Sequence, residues 1–462
     1  MSRKYRVLFL TIFSIFFVVV TPFLILYSLG YELDLSQRQI KNSLTISIDS
    51  RPRSADIYSG DSLLIRNSGE LRADEQQLIP LSVREDGFID EDFLIWSGEN
   101  QNTTARITNL WLLPKESNAL DSSENREFVS ILSEDQLIFR ENNTTYIQLY
   151  GFGGLQGNPE PIRPFGPLLG VSIDESMRWE KINETVFWSE DSELLLIQSN
   201  GEWRLHDTRF FTMNPVQIAY INPSQLMILD PEKNIWVWDH INNSFRFLDS
   251  GFIGLSYTEI PENIWLWKYD TIYRLNTNQI SDQIQFEDTV YSQDYSLTHN
   301  FDGIAEHFVV KNVYQGVFLR LQSSIYYIPD YNKSEITLIS DNVRNANAFD
   351  NSIIWLDQSN QIWVYNLQLQ NIENVASIPT LESVPEDEIN LFYYFLWRRI
   401  LIYTPDAVYS IWFDKDILNK SINGYNPILW IDGPRCSTEM SDRHQFCIQD
   451  KNLIVFRNTS IW

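Results

Sequence analysis

The chain has 462 residues, a formal net charge of −26, an aromatic content of 14% and 15 tryptophans. This length exceeds one ordinary domain. The acidic surface repels phosphate backbones, so nucleic acid is excluded as a partner, and it disfavours lying flat on anionic lipid. Two cysteines are too few for a disulfide scaffold or a Cys-based zinc site. We expect no cofactor and no metal.

Residues 7–29 form a continuous uncharged, apolar run. About 20 apolar residues suffice to cross a bilayer as a helix. Basic residues lie in the tail 1–6 and acidic residues follow the run, so the positive-inside rule places the N-terminus in the cytoplasm and the bulk of the chain outside. The sequence predicts a single-pass protein of the cytoplasmic (inner) membrane. A cleaved signal peptide, ending at the small residues 28–30, is the alternative, although the run exceeds a usual signal h-region.

Residues 43–114 are predicted to form a small β-domain. Leu44, Ile46 and Ile48 alternate with polar residues, which is typical of a half-buried strand. Pro52 ends this strand, and a second begins at Ala55.

This segment resembles the PEGA family of small extracytoplasmic β-domains. The matching positions are Leu44, Ile46, Ile48, Ser50, Pro52, Ala55, Ile57 and Tyr58, then the run 79–88 ending in Gly87-Phe88, and the closing run 107–114. The tetrapeptide that names the family is absent, since Arg53-Ser54 fills its place. The resemblance implies a bacterial-type envelope protein with a membrane helix, a PEGA-like domain and a propeller in this order. It implies no catalytic residue.

The remaining chain contains a linker and a repeat. Residues 115–127 are polar and charged, which indicates a domain boundary before the segment 128–462. That segment contains eight candidate hairpins, each made of an apolar run, a polar turn and a second apolar run. They are Leu137–Leu149, Leu194–Asp207, Leu226–Asp239, Ile264–Asn276, Val317–Ile328, Ile353–Asn366, Ile400–Phe413 and Phe446–Arg457. Hairpins at this spacing favour an all-β β-propeller.

The strands of these repeats are apolar on both sides, as in Ile235-Trp236-Val237-Trp238. Such strands belong in sheets covered on both faces, so the tryptophans are predicted to fill the core between blades. The segment 151–167 is rich in Gly and Pro and is predicted to be a loop. The two chain ends are expected to share one closing blade. The prediction is therefore seven blades, with eight as the alternative.

The sequence contains no His-Glu-x-x-His, Gly-x-Ser-x-Gly, P-loop or EF-hand motif. His206 and His240 end equivalent strands of successive repeats and are expected to approach each other, with turn polarity favoured over a metal site. Carboxylates are too numerous for a catalytic pair to be selected.

Two further groups of residues carry predictions. Cys436 and Cys447 flank a polar stretch and, outside the membrane, are expected to form a disulfide; two unpaired buried thiols are the alternative. Five aspartates follow the first strand of a hairpin and would ring one rim, whose negative potential is expected to attract a cation or a basic partner: Asp230, Asp270, Asp357, Asp406 and Asp450. The alternative is that Asp only favours turns, through hydrogen bonds to its own backbone.

These observations predict a non-catalytic cell-envelope protein. Its membrane-anchored propeller would bind a protein or a glycan outside the cytoplasmic membrane. The alternative is a propeller enzyme that acts on envelope glycans or peptides through acidic residues in its central channel.

Overall fold

A computed structural model describes most of residues 31–457 and part of 11–25. The undescribed residues are 1–10, 12, 19, 23, 26–30, 35–38, 68, 75–77, 97–103, 116–117, 121–125, 134, 152–153, 166–172, 174–176, 258–262, 269–270, 277–307, 314–315, 330–336, 350, 395–397, 414–426, 434, 437–443, 450–451 and 458–462.

The described residues between 11 and 25 are helical. Within the predicted membrane segment 7–29, every described residue is therefore helical, and the other positions lie outside the described residues. Across the described part of the chain, no helix has both the length and the apolar content needed to span a bilayer.

The next segment folds into two small sheets. Its strands are β1 (Tyr31–Asp34), β2 (Gln39–Arg51), β3 (Asp56–Ser59), β4 (Ser62–Ile65), β5 (Gly69–Asp74), β6 (Leu78–Arg84), β7 (Glu91–Trp96) and β8 (Thr104–Trp111). One sheet has the order β1-β2-β5 with β8 parallel to β2, and the other has the order β4-β3-β6-β7.

The two sheets enclose a shared core, and we call this unit the sandwich. Ile46 and Ile48 of β2 are buried, as their alternation predicts, and they lie in one cluster with Ile57, Val83 and Ile107. The predicted break at Pro52 and the predicted second strand are both present, since β3 begins at Asp56.

The strands that follow form four-stranded antiparallel sheets, which we number as blades 1 to 8. Blade 1 contains β10 (Arg126–Ile131), β11 (Gln136–Glu141), β12 (Thr144–Gly151) and β13 (Gly154–Phe165). Blade 2 contains β14 (Glu180–Asn183), β15 (Val186–Ser189), β16 (Leu194–Ser199) and β17 (Glu202–Asp207). Blade 3 contains β18 (Gln217–Asn222), β19 (Gln225–Leu229), β20 (Asn234–Asp239) and β21 (Ser244–Ser250). Blade 4 has three described strands, β22 (Phe252–Tyr257), β23 (Asn263–Lys268) and β24 (Thr271–Asn276).

Blades 5 to 8 repeat this order. Blade 5 contains β25 (Phe308–Val313), β26 (Gly316–Leu321), β27 (Ser324–Pro329) and β28 (Thr337–Ser340). Blade 6 contains β29 (Val343–Phe349), β30 (Ser352–Asp357), β31 (Gln361–Asn366) and β32 (Asn371–Ser377). Blade 7 contains β33 (Asn390–Tyr394), β34 (Arg399–Tyr403), β35 (Ala407–Trp412) and β36 (Ile428–Asp432). Blade 8 contains β37 (Arg435–Cys436), β38 (His444–Gln449), β39 (Asn452–Arg457) and β9 (Asn118–Leu120).

The blades close into a ring. Each pair of neighbouring blades shares a hydrophobic cluster, and blade 8 shares one with blade 1 through Leu453 and Phe139. The first strands of blades 2 to 7 adjoin one another in succession, and β10 of blade 1 adjoins β38 of blade 8, so these strands line the central channel. Trp238 and Trp267 are fully buried between blades, as expected for core residues. The described residues therefore form an eight-bladed β-propeller.

The predicted number of seven blades is wrong. Blade 1 has four strands of its own, because the Gly- and Pro-rich segment is not a loop but the strand β13. Gly157 has a φ of +72°, which glycine adopts without strain where β13 departs from regular pairing. The chain ends do share one blade, but the N-terminal contribution is β9, which lies in the predicted linker 115–127 and pairs with β39.

The sandwich is docked onto blade 7 through a buried ion pair. Arg399, the first residue of β34, bonds to the Glu91 carboxylate of β7. Its guanidinium also donates to the Trp111 carbonyl, at 2.7 and 3.1 Å, and to the Ser410 hydroxyl at 3.1 Å. Arg399 is fully buried and the Glu91 side chain is 4% exposed. Burial raises the Glu91 pKa, and the adjacent Arg399 charge opposes this shift.

Apolar contacts surround this ion pair. The rings of Phe93 and Trp412 meet edge to face at 5.5 Å, and the Trp430 indole donates to the Pro114 carbonyl at 3.3 Å. Because β34 begins after the turn between the first two strands of its blade, the sandwich lies on the propeller face that carries these turns.

We expect Glu91→Ala to destabilise the protein by about 3–5 kcal/mol, because it leaves the Arg399 charge buried without its partner. A double variant, Glu91→Leu with Arg399→Met, should cost less than either single truncation, since it removes both charges together. Urea unfolding checks both values. A double variant less stable than each single variant would contradict the assignment.

Candidate functional site

The face opposite the sandwich carries the connections between blades, and one of them covers the inner strands. Residues 379–389 join β32 to β33 through two 3-10 turns, Pro379–Ser383 and Glu386–Glu388. Arg344 of β29 donates to the Leu381 carbonyl at 2.7 Å and also bonds to the Val384 carbonyl. We call the surface formed by residues 379–389 and the strand ends beneath them the channel mouth.

A second arginine fixes the same connection from the neighbouring blade. Arg320 of β26 bonds to the Glu386 carboxylate and donates to the Arg344 carbonyl at 2.8 Å. Arg320 is 3% exposed, so burial lowers its pKa while Glu386 opposes that shift. Both arginines therefore hold the connection in one position.

An ion pair crosses the channel mouth. Arg178 precedes the first strand of blade 2, and its guanidinium lies 3.0 Å from the Glu388 carboxylate, which precedes the first strand of blade 7. These blades are separated by blades 8 and 1 on the shorter path around the ring, so the pair spans part of the opening. Both side chains are partly exposed, and the pair therefore adds little stability.

Glu180, two positions after Arg178, is the first residue of β14. Its side chain reaches water, but surrounding protein disfavours the charged form, and Glu190 adds repulsion. Together these effects raise the Glu180 pKa to about 7. Glu180 thus adds to the channel mouth a carboxyl group whose pKa lies near neutral pH.

Polar side chains of the first strands connect blades to one another. Gln217 accepts a hydrogen bond from the Leu255 amide at 2.7 Å, and Ser256 accepts one from the Val310 amide at 3.1 Å. Asn345 donates to the Ile389 carbonyl of the connection at 2.7 Å, and Asn347 donates to the Leu391 carbonyl of blade 7 at 2.6 Å. These groups satisfy backbone atoms that face the channel wall.

The predicted acidic rim falls into three cases. Asp230 and Asp357 are buried. Asp230 accepts one backbone amide hydrogen and Asp357 accepts two, and each accepts the indole hydrogen of the tryptophan six positions later, Trp236 or Trp363. Asp406 is exposed. Asp270 and Asp450 lie outside the described residues. The two buried carboxylates act as turn formers that position an indole, which is the alternative interpretation of the pattern.

We expect Asp357→Ala to destabilise the protein by about 1–3 kcal/mol, because two backbone amides and the Trp363 indole lose their acceptor. Asp406→Ala is the matched control in the equivalent turn of blade 7 and should change the free energy of unfolding by less than about 0.5 kcal/mol. Equal effects in denaturant titrations would refute the distinction.

The two histidines do approach each other, in the outer groove between blades 2 and 3. His206 meets the Trp238 ring at 5.1 Å and His240 meets it at 5.9 Å. Burial, with repulsion from His240 and Arg204, lowers the His206 pKa to about 3; burial also lowers the His240 pKa. Among the described residues, no group of three His, Cys, Asp or Glu side chains is placed to hold a metal.

The lowered pKa of His206 makes stability depend on pH. Below about pH 6.5 the histidine binds a proton in the unfolded chain, whereas folded His206 stays neutral until about pH 3. The free energy of unfolding should therefore decrease as the pH is lowered from 6.5 to 3, by on the order of 1 kcal/mol per pH unit. His206→Phe should flatten the profile of unfolding free energy between pH 6.5 and 4. An unchanged slope in the variant would contradict this account.

Cys436 and Cys447 are joined by a disulfide with an S–S distance of 2.04 Å. They are direct partners in the pairing of β37 with β38, so the bond closes the first hairpin of blade 8. Disulfides persist in oxidising compartments, and this bond indicates an extracytoplasmic location.

Several residues of the site were not singled out from the sequence. Arg320 interrupts an apolar strand, and a lone charge in such a strand is a signal of a buried polar contact. Arg178 and Glu388 carry no such signal, because only ring closure brings blades 2 and 7 together.

Comparison with solved structures finds chains of low similarity to this one. The chain is similar to the C-terminal WD40 domain of Sif2 (11% identity, TM-score 0.42, covering 74% of this chain and 98% of that one). It is also similar to Sqt1 from Chaetomium thermophilum (11%, 0.42, 74% and 99%) and to BamB from Moraxella catarrhalis (11%, 0.41, 74% and 96%). At these scores the propeller assignment rests on the sheets and clusters of the chain itself.

No family model matches the sequence, and no curated protein matches it significantly. The resemblance of residues 43–114 to the PEGA family therefore stays a prediction.

Proposed function

We propose that this protein is a membrane-anchored, non-catalytic scaffold of the bacterial cell envelope. Its propeller binds a protein or a glycan outside the cytoplasmic membrane, and its N-terminal helix holds it there. Three features support this proposal.

The first is the helical conformation of the described residues between 11 and 25. Their large apolar side chains are exposed around the helix, among them Phe13, Phe16, Val18 and Leu24, each more than half exposed. A helix that is apolar on every side requires an apolar environment, which a bilayer provides. With the basic residues of the tail 1–6, this favours an anchor whose following chain lies outside.

The second is the direction of β2. Its last residue, Arg51, pairs with Trp111, whose carbonyl accepts hydrogen bonds from Arg399 in the propeller. The first residue of β1, Tyr31, pairs with Asn42 of β2. At about 3.3 Å per residue, Asn42 lies about 30 Å from Arg51 along β2. The anchor and the propeller thus adjoin opposite ends of the sandwich.

The third, which carries the proposal, is the buried Glu91–Arg399 pair. A flexible tether would not bury two charges, since burial is favourable only when geometry and hydrogen bonds are fixed. The sandwich therefore acts as a rigid spacer, and the channel mouth is presented on the face away from it. Such a construction suits a binding scaffold.

One observation favours the alternative, an enzyme acting on envelope glycans or peptides. Glu180 at the channel mouth has a pKa near neutrality, which suits a general acid or base. A scaffold requires no such titration, so Glu180→Gln should leave partner capture unchanged.

The anchor is tested in bacterial spheroplasts that express the chain with a C-terminal tag. External protease should digest the tag, because the bulk of the chain lies outside, and removal of residues 1–30 together with addition of a cleavable signal peptide should release the protein into the soluble fraction. A tag protected in intact spheroplasts but digested after lysis would refute the proposed topology. Capture from detergent-solubilised membranes, with wild type and Glu180→Gln in parallel, then tests the scaffold.

A further inference from the structure

One strand of this protein already binds to the outer edge of a neighbouring blade. The first part of β13 completes blade 1, but residues Ile162–Phe165 pair in parallel with β17, the fourth strand of blade 2. Blade 2 therefore carries a fifth strand that another blade supplies. This pairing is strand addition within one chain.

Side chains fix this added strand. Ile162 is buried between blades 1 and 2, the Arg163 guanidinium lies 3.1 Å from the Glu202 carboxylate, and the Phe165 ring lies 4.6 Å from His206. Pro164 leaves one backbone nitrogen without a hydrogen, which limits further pairing on the outside. The recognised chemistry is an aliphatic residue, a cation and an aromatic ring in extended backbone.

The fourth strand of blade 6 offers a similar edge without an added strand. β32 ends its sheet and, in the described part of the chain, pairs only with β31. Ile372 on this strand is 50% exposed, and Leu369 in the preceding turn is 60% exposed. Between Ile372 and the buried end of the strand lies Glu373.

Glu373 is half-buried, and its carboxylate has no hydrogen-bond or ion-pair partner among the described residues. Burial raises its pKa, and no cation opposes this effect. An incoming cation would supply the missing partner, as Arg163 does for Glu202 in blade 2.

The equivalent strand of blade 3 differs in this respect. β21 has the same length as β32 and exposes Phe247 to 50%. Its carboxylate, however, is already engaged, since Asp249 accepts a hydrogen bond from Lys268 at 2.7 Å. The outer edges of β32 and β21 thus have the same length and similar exposed apolar side chains. They differ because the Glu373 carboxylate of β32 has no partner among the described residues, whereas the Asp249 carboxylate of β21 has one.

We propose that the outer edge of β32 binds an extended segment of a partner protein by parallel strand addition, with an aliphatic residue against Ile372 and an arginine or lysine paired with Glu373. This inference rests on the proposed scaffold function and specifies its partner as a protein. Backbone hydrogen bonds would provide affinity, and the cation would select the sequence. The net charge of −26 attracts such a basic segment.

The probe is a fluorescent octapeptide with the sequence of residues 158–165, Asn-Pro-Glu-Pro-Ile-Arg-Pro-Phe, added to the full chain in detergent micelles. Fluorescence polarisation measures its binding to wild type, Glu373→Lys, Ile372→Ser and the control Phe247→Ser on β21. Glu373→Lys should weaken binding about fivefold or more, equivalent to about 1 kcal/mol, and Phe247→Ser should leave it unchanged. A scrambled peptide of the same composition should bind less tightly than the probe.

Thermal unfolding of each variant verifies that it folds, and Ile372→Ser, which changes no charge, tests the same edge independently. Equal binding to wild type, Glu373→Lys and Ile372→Ser would overturn the proposal, as would equal binding of the scrambled peptide or no binding to wild type. Partner capture from membranes that survives Glu373→Lys would place the partner elsewhere and leave the scaffold function intact. Loss of capture by wild type would instead refute the scaffold function itself.

Discussion

The propeller depends on the burial of strands that are apolar on both faces. A strand such as β19 or β30 cannot bury its side chains within one sheet alone, because apolar side chains on both of its faces must pack against other residues. Stacking blades provides that cover, and each cluster between blades joins residues from two sheets. Because every blade needs two neighbours, the arrangement is complete only when the first and last blades meet.

Ring closure makes the segment before the propeller part of the propeller. β9 follows the sandwich and forms the outer strand of blade 8, so the chain passes from the sandwich into the blade that closes the ring. The disulfide of blade 8 lies in the same sheet. Sandwich docking and ring closure are therefore coupled: the Arg399 pair and β9 attach the same connection to adjacent blades.

The polar groups of the propeller mostly serve this assembly. Asp230 and Asp357 each satisfy a turn and orient an indole, and the first-strand amides of Asn345 and Asn347 satisfy the next blade. A buried polar group without a partner costs stability, so these contacts are required wherever apolar strands end. The half-buried Glu373 carboxylate on the outer strand β32 has no hydrogen-bond or ion-pair partner among the described residues. The outer edge of β32 is therefore the binding surface that we propose.

The sequence by itself determined the repeating hairpins, the burial of most strand tryptophans and the first strands of the sandwich, because alternation and turn residues act over a few positions. It also predicted that His206 and His240 approach each other, but the predicted equivalence of their strands is wrong: His206 lies on the fourth strand of blade 2, and His240 follows the third strand of blade 3. Blade number was misjudged, because Gly and Pro in β13 resemble a loop until two blade edges are available to pair with. Only the tertiary structure decided that Asn118–Leu120 closes the ring, that Arg399 meets Glu91 and that Arg178 meets Glu388. Each of these contacts joins residues far apart in the chain, and no local pattern specifies a partner that ring closure alone brings within reach.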